Sequence, residues 1–263
     1  MAHVDTLRRR LAAVEARVIR GGGSWAALPP ADQEEMNELV DLWTSRASST
    51  GDREAQHTLG FLYYYGHGVG RDAVAAVHWE RLAAEQGHPG AQRCLGACLQ
   101  NGWGVERDQA EALVWYRKAA DHGCAESLFN LGCAHLEGWG TPADRPKAAG
   151  YFKEAAGLGF AEAQLHHAMF LLVPGCSMAA THEGIENLRA ASRQGLHEAT
   201  RQLGILYQDA RVCAQCGRMK TPSGARLRQC SRCRGPRYCG IECQTAHWRA
   251  GHKQDCTVGR WVD

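Results

Sequence analysis

The amino-acid sequence predicts an all-α protein, an α-solenoid of about four to five helical-hairpin repeats followed by a small metal-folded module. Three observations carry this. Ala55, Ala91, Ser127, Ala163 and Ala199 stand 36 residues apart, and the same step carries Leu59-Gly60 to Leu95-Gly96, Leu131-Gly132 and Leu203-Gly204. A period of that size marks stacked supersecondary units. Within one period, Ala91 to Leu99 and Gln109 to His122 lack Pro and are rich in helix formers, with Gly102-Trp103-Gly104 between them, so each unit is a helical hairpin. Finally, seven of the 12 cysteines fall between 213 and 256 in metal-ligand spacing.

Taken in order, residues 1–20 form an amphipathic helix. Val4, Leu7, Leu11, Val14 and Val18 make its apolar stripe, and Arg8, Arg9, Arg10, Arg17 and Arg20 line its other faces. An arginine-rich start is also a feature of organelle transit peptides, but Asp5 and Glu15 count against that, and a helix capping the solenoid is the reading adopted. Residues 21–54 hold a Gly/Pro linker and a partial repeat. Gly21-Gly22-Gly23 and Pro29-Pro30 break the chain before a helix over about 31–49, and Trp43 precedes Trp79 by 36 residues.

Residues 55–210 hold the repeats. Gly60, Gly96, Gly132 and Gly204 sit inside first helices, where glycine costs about 1 kcal/mol against alanine, so close approach of a partner helix is expected there. Asp72, Asp108 and Asp144 are placed to cap second helices, and Gly87, Gly123, Gly159 and Gly195 to close them in the left-handed conformation. The aromatic positions Trp79, Trp115 and Tyr151 read as core. Gly66-His67-Gly68-Val69-Gly70 follows a helix rather than a strand and recurs as Gly102-x-Gly104 and Gly138-x-Gly140, so it is a turn and not a phosphate loop. His166 and His167 point about 100° apart on a helix and lack a spaced carboxylate, which makes them packed or surface residues rather than a pair of ligands. Cys94, Cys98, Cys124, Cys133 and Cys176 read as reduced, small apolar residues.

The run Leu-Gly-x-x-Tyr-x-x-Gly-x-Gly-Val at 59–69, with the paired alanines and terminal glycine, resembles the Sel1-like repeat, a relative of the tetratricopeptide repeat. The resemblance implies a right-handed α-solenoid used as a protein-binding scaffold. It also implies that first helices line the concave face, where His57, Arg93, Phe129 and Arg201 would write partner specificity. The fourth unit departs from the pattern, with His167-Ala168 in place of Leu-Gly and Val173-Pro174-Gly175-Cys176 in place of the glycine loop.

Composition excludes little. An apolar share of 44% is ordinary, and the net charge of +2 conceals an asymmetry. Residues 211–263 hold 11 Lys and Arg against 3 Asp and Glu, which leaves 19 against 25 for residues 1–210. No apolar run reaches the ~20 residues of a membrane helix, and neither a signal-peptide core nor an Asn-x-Ser/Thr site occurs, so a cytoplasmic and/or nuclear protein is expected.

In residues 211–263, Cys213-x2-Cys216, Cys230-x2-Cys233, Cys239-x3-Cys243 and His252-x3-Cys256 supply four pairs of ligands, enough for two tetrahedral Zn2+ ions. So short a segment has too little apolar surface for a core of its own, and metal supplies most of its folding free energy. The run Tyr238-Cys239-x3-Cys243-Gln244-x3-Trp248-x3-His252-Lys253-x2-Cys256 resembles the MYND-type zinc finger. Spacing alone leaves sequential pairing of the ligands open. The resemblance implies interleaving, with Cys213, Cys216, Cys239 and Cys243 on zinc 1 and Cys230, Cys233, His252 and Cys256 on zinc 2. It further implies that Gln244 and Trp248, four apart on one helix face, hold a proline-containing peptide.

Neither resembled module carries catalysis, so the expected function is a non-enzymatic protein–protein adaptor, with the finger holding a proline-containing peptide and the solenoid a second partner. Two alternatives stand beside it. One is a substrate-recruiting, F-box-like subunit of a ubiquitin ligase, which the resemblance implies because MYND fingers occur with Sel1-like repeats in F-box proteins, and which Leu28-Pro29-Pro30 at the start of a short helix keeps open. The other is a nucleic-acid-associated regulator acting through Arg226, Arg228, Arg232, Arg234 and Arg237, although the aromatic interleaving of a single-strand binder is missing.

Overall fold

The structure is a computed structural model that describes residues 2–20, 25, 28–172, 178–208, 228–229 and 237–238. Eleven helices run through the described residues before 209. They are α1 (Ala2–Arg20), α2 (Pro30–Ser49), α3 (Arg53–Tyr65), α4 (Ala73–Glu85), α5 (Pro89–Asn101), α6 (Gln109–Asp121), α7 (Ala125–Glu137), α8 (Arg145–Gly157), α9 (Ala161–Leu171), α10 (Met178–Arg193) and α11 (His197–Gln208). Two two-residue strands follow, β1 (Arg228–Gln229) and β2 (Arg237–Tyr238). The chain divides into two compact units, Met1–Ala148 and Ala149–Asp263.

In the first unit each helix from α1 to α6 packs on the next, which is the arrangement of stacked helical hairpins. Helix α1 buries its stripe as its periodicity predicts. Leu7, Leu11, Val14 and Val18 join Met36, Leu39 and Trp43 of α2 and Ala55 and Leu59 of α3 in one core cluster, and each large apolar side chain removed from water contributes about 1.5–3 kcal/mol. Its arginines pair with acids on the neighbouring helices. Arg10 meets Glu38 at 2.6 Å, Arg17 meets Asp32 at 2.8 Å, and Arg8 pairs with Glu54.

Helix starts are set by the expected carboxylates. Asp72 accepts from the backbone N–H groups of Val74 and Ala75, Asp108 from Glu111 and Asp144 from Lys147. Glycine serves two steric purposes. A Cβ on Gly60 would lie 2.6 Å from Cγ of Glu80, and one on Gly96 would lie 2.8 Å from the ring of Tyr116, so in both hairpins the second helix approaches the first where the glycine is. At Gly204 a Cβ meets nothing within 4 Å among the described residues. The residues that directly follow Gln208 lie outside those residues. The loop glycines Gly104 and Gly140, at φ 69° and 67°, abut the preceding second helix, with a Cβ falling 2.1 Å from the Ala73 carbonyl oxygen and 2.4 Å from that of Gln109. The glycine loops are therefore turns that also seat one hairpin on the last.

In the second unit α9 packs on α10 and α10 on α11 around Leu165, Ala168, Ile185, Leu188 and Leu203. The irregular fourth unit keeps its two helices. His167, standing where other units have leucine, is buried with Nε2 3.2 Å from Glu183 Oε1, while His166 lies against Phe152 at 4.9 Å between ring centroids. The two histidines thus have separate, packed environments.

Candidate functional site

Two regions concentrate chemistry. The first is the cysteine-rich segment. Cys213, Cys216, Cys230, Cys233, Cys239, Cys243, His252 and Cys256 lie outside the described residues, as do Gln244 and Trp248. The short strands flanking them are described. β1 and β2 pair antiparallel, Arg228 opposite Tyr238 and Gln229 opposite Arg237. In the sequence Cys230 directly follows β1 and Cys239 directly follows β2. Seven thiols and one imidazole form the soft donor set that zinc takes, and the residues present fit that ion.

The second region is a groove of about 260 Å3 between the first two full hairpins. It is lined by His57, Phe61, Tyr64 and Tyr65 of α3, Glu80 of α4, and Arg93, Cys94, Ala97 and Cys98 of α5. Residues four apart on a helix share a face, which places His57, Phe61 and Tyr65 in one row and Cys94 and Cys98 in another. Tyr65 is exposed and Glu80 is only 3% exposed. The Glu80 carboxylate lies 2.8 Å from His57 Nδ1. Burial pushes this carboxyl above its ordinary range, against which the hydrogen bond and charge of His57, the charge of Arg93 and a hydrogen bond from Cys94 all act. Burial pushes the Cys94 thiol far up, helped by the Glu80 charge, and raises Cys98 to about 11. Neither is a thiolate at neutral pH, so neither is poised as a nucleophile.

His88 supports the site from behind. Its ring lies against His57 at 4.3 Å between centroids, its Nδ1 accepts from the backbone N–H of Ala91, and its Nε2 faces Glu54 at 3.4 Å. Burial and the nearby His57 charge lower its affinity for a proton. Arg93 reaches across the groove wall to Glu126 of α7 at 2.8 Å. A larger cleft of about 780 Å3 beside the 66–71 loop is lined by Val18, Ile19, Trp25, Gln33 and Arg71 together with loop backbone, and the ionisable chemistry is in the smaller groove.

Of the four positions expected to carry partner specificity, His57 and Arg93 meet in the groove. Phe129 is half-buried on α7, and Arg201 belongs to the second unit, where it pairs with Glu198 at 2.8 Å. The sequence reading missed Glu80 and the part played by Cys94. A signal existed, since Glu80 stands 36 residues before Tyr116 and 72 before Phe152, both fully buried aromatics.

Hairpins stacked at a fixed step, with a groove walled by their first helices, define a helical-repeat protein of the interaction-scaffold class. Residues 53–88, 89–124 and 125–160 each match the Sel1 repeat, and residues 213–256 match the MYND finger. The chain is a Sel1-repeat protein that carries a MYND-type zinc finger. It is similar in structure to c5321, a protective antigen of uropathogenic Escherichia coli with an SLR fold, at a TM-score of 0.61 and 27% identity over 79% of this chain and 42% of that one. It is also similar to a Sel1 repeat protein of Oxalobacter formigenes, at a TM-score of 0.57 and 27% identity over 68% of this chain and 81% of that one.

Curated relatives match over short segments. Ubiquitin carboxyl-terminal hydrolase 19 of Arabidopsis thaliana is 38% identical over 22% of this chain and 8% of the hydrolase. Programmed cell death protein 2 of Mus musculus is 40% identical over 22% of this chain and 15% of that protein. The chain spans only these small fractions of the curated relatives it matches. Sel1 repeats and MYND fingers are protein-interaction modules, and a MYND finger binds zinc. Among the described residues no helix is long and apolar enough to cross a membrane.

Proposed function

We propose that this chain is a non-enzymatic adaptor that holds two proteins at once, one on its Sel1 repeats and one on its MYND finger. The observation that carries this reading is the groove between α3 and α5, which pairs an exposed aromatic edge at Tyr65 with the polar walls of His57 and Arg93. Such a surface suits an extended segment of a partner, with aromatic contact area beside a few placed polar groups. The raised thiols of the groove favour binding over covalent chemistry.

In this reading the chain has an amphipathic cap (1–20), a linker with a partial repeat (21–54), the repeats (55–210) and the finger (211–263). The finger takes two zinc ions, Cys213, Cys216, Cys239 and Cys243 on one and Cys230, Cys233, His252 and Cys256 on the other. Gln244 and Trp248 receive a proline-containing peptide, the indole as a platform for a proline ring and the amide as donor and acceptor to the peptide backbone. A proline-rich ligand has little conformational entropy to lose. The protein would work in the cytoplasm and/or nucleus.

The test compares wild type with Gln244→Ala and Trp248→Ala for zinc content and for affinity toward a proline-leucine-proline peptide. Both variants should keep zinc and lose the peptide. Loss of zinc in Trp248→Ala makes the indole a packing anchor instead, and unchanged affinity in both overturns the assigned face. The matches to plant ubiquitin hydrolases favour one second reading, a substrate-recruiting role in a ubiquitin pathway. Recovery of a ubiquitin ligase core with the intact chain supports that reading.

A further inference from the structure

The groove holds a constellation of which the adaptor reading uses only His57. A ring nitrogen of His57, a carboxylate oxygen of Glu80 and Sγ of Cys94 come from three different helices and all lie within 4.8 Å of one another, with Nδ1 of His57 2.8 Å from Glu80. We infer that His57, Glu80 and Cys94 form a mononuclear site for a divalent cation of the zinc class, separate from the eight ligands of the finger.

The first argument is the placement of Glu80. In the first two full hairpins the second helix presents one side chain to the helical glycine of the first, and in the second of them Tyr116 fills that space against Gly96. Phe152 stands at the same register and is fully buried. In the first hairpin the place is taken by a carboxylate, 3% exposed, for which Gly60 leaves the room. Packing alone would favour an aromatic residue there, because an ionised group removed from water is costly unless it is paired or coordinates a metal. Its nearest partner, His57, offers one nitrogen at 2.8 Å, and the Cys94 thiol offers the other near group.

The donor set is the second argument. Imidazole nitrogen, thiolate sulfur and carboxylate oxygen are the three ligand types of zinc, at about 2.0–2.3 Å from the ion, and three protein ligands leave a fourth position open. In a tetrahedral site such ligands stand about 3.3–3.8 Å apart, so the His57–Glu80 contact opens by about 0.5–1 Å as the ion enters. His57 is oriented for this. Its Nε2 edge is seated where Gly90 leaves space, a Cβ there lying 2.9 Å away, and His88 covers one face of the ring. Outer contacts of this kind fix the ring of a ligating histidine. The fourth position faces the groove, where a water or a side chain of a bound partner completes the shell.

Binding breaks the Sγ–H bond of Cys94, releases that proton to solvent and forms the Sγ–metal bond. Nδ1 of His57 binds the ion through its lone pair, so the neutral ring carries its proton on Nε2, and any proton held between Nδ1 and the Glu80 carboxylate passes to solvent. Uptake therefore strengthens as pH rises. The inference goes beyond the adaptor function, because it requires no partner.

The experiment uses the full chain, reconstituted with Co2+ in place of zinc and freed of excess, while metal content and the thiolate-to-cobalt charge-transfer band are followed. Wild type should hold one equivalent of divalent metal more than Cys94→Ser, Glu80→Gln and His57→Gln, and the extra cobalt band should vanish in Cys94→Ser. The finger is common to all four proteins and cancels in the comparison. Glu80→Tyr restores the aromatic residue of the next hairpin, so it should fold and still lack the extra equivalent. Equal metal content in wild type and in a folded Glu80→Tyr or Glu80→Gln overturns the site, as does a cobalt band of the same intensity in wild type and Cys94→Ser. Peptide affinity at the finger is read in parallel, and it should stay at the wild-type level in all these variants.

Discussion

Substituting alanine for glycine should have opposite effects at two helical positions, Gly96 and Gly150. In both, alanine gains about 1 kcal/mol of helix propensity. At Gly96 the new Cβ falls 2.8 Å from Cε1 and 2.9 Å from Cδ1 of Tyr116, where ordinary contact begins near 3.4 Å. Tyr116 is 1% exposed, and its hydroxyl donates to Gln100 Oε1 at 2.8 Å, so the ring has little freedom to retreat. Overpacking of this kind costs about 1–3 kcal/mol, and the upper half of that range outweighs the propensity gain by about 1 kcal/mol. Gly150 is exposed on α8, with nothing within 4 Å of its Cβ position. Gly96→Ala should therefore lower Tm by about 2–4 °C in thermal unfolding followed by circular dichroism, and Gly150→Ala should raise it by a similar amount. Stabilisation by Gly96→Ala would refute the argument that close helix approach selects the glycine.

Two further outcomes follow from the caps and the finger. Burial alone would raise the Asp52 carboxyl, but the Arg46 guanidinium at 2.6 Å and the N–H groups of Ala55 and Glu54 hold it below the usual range. A depressed folded-state value means that its stabilisation is present above the unfolded-state value near 4 and is lost as pH falls through the folded-state value. Asp52→Asn should accordingly show a shallower loss of Tm than wild type between about pH 4 and the acid limit, and identical acid profiles would contradict it. For the finger, the Glu80→Gln chain should retain two zinc ions by elemental analysis, and chelation should unfold residues 211–263 while the helical signal of the repeats persists. A ratio near one in that variant would refute the assignment of four ligands to each ion.

Much of this molecule is legible without coordinates, because its determinants are local and recur. Asp72, Asp108 and Asp144 cap helices by reaching backbone N–H groups two or three residues ahead, and Gly87, Gly123, Gly159 and Gly195 take positive φ where their helices end. The same backbone geometry in every unit imposes the same residue every 36 positions, so the period alone yields the hairpins, their turns and the glycines that admit a neighbouring helix. The proposed ligand pairs rest on local spacing in the same way, since both members of a pair would reach one ion from adjacent turns of chain. The groove is another matter. His57, Glu80 and Cys94 are separated by 23 and 14 residues, belong to α3, α4 and α5, and share no spacing that names them as neighbours. Which side chains converge is decided by how one hairpin seats on the next, through contacts such as Gly104 on Ala73 and Gly60 on Glu80. The repeat specifies positions along the chain, and only the packing of helices against one another turns a carboxylate in an aromatic register into one wall of a site.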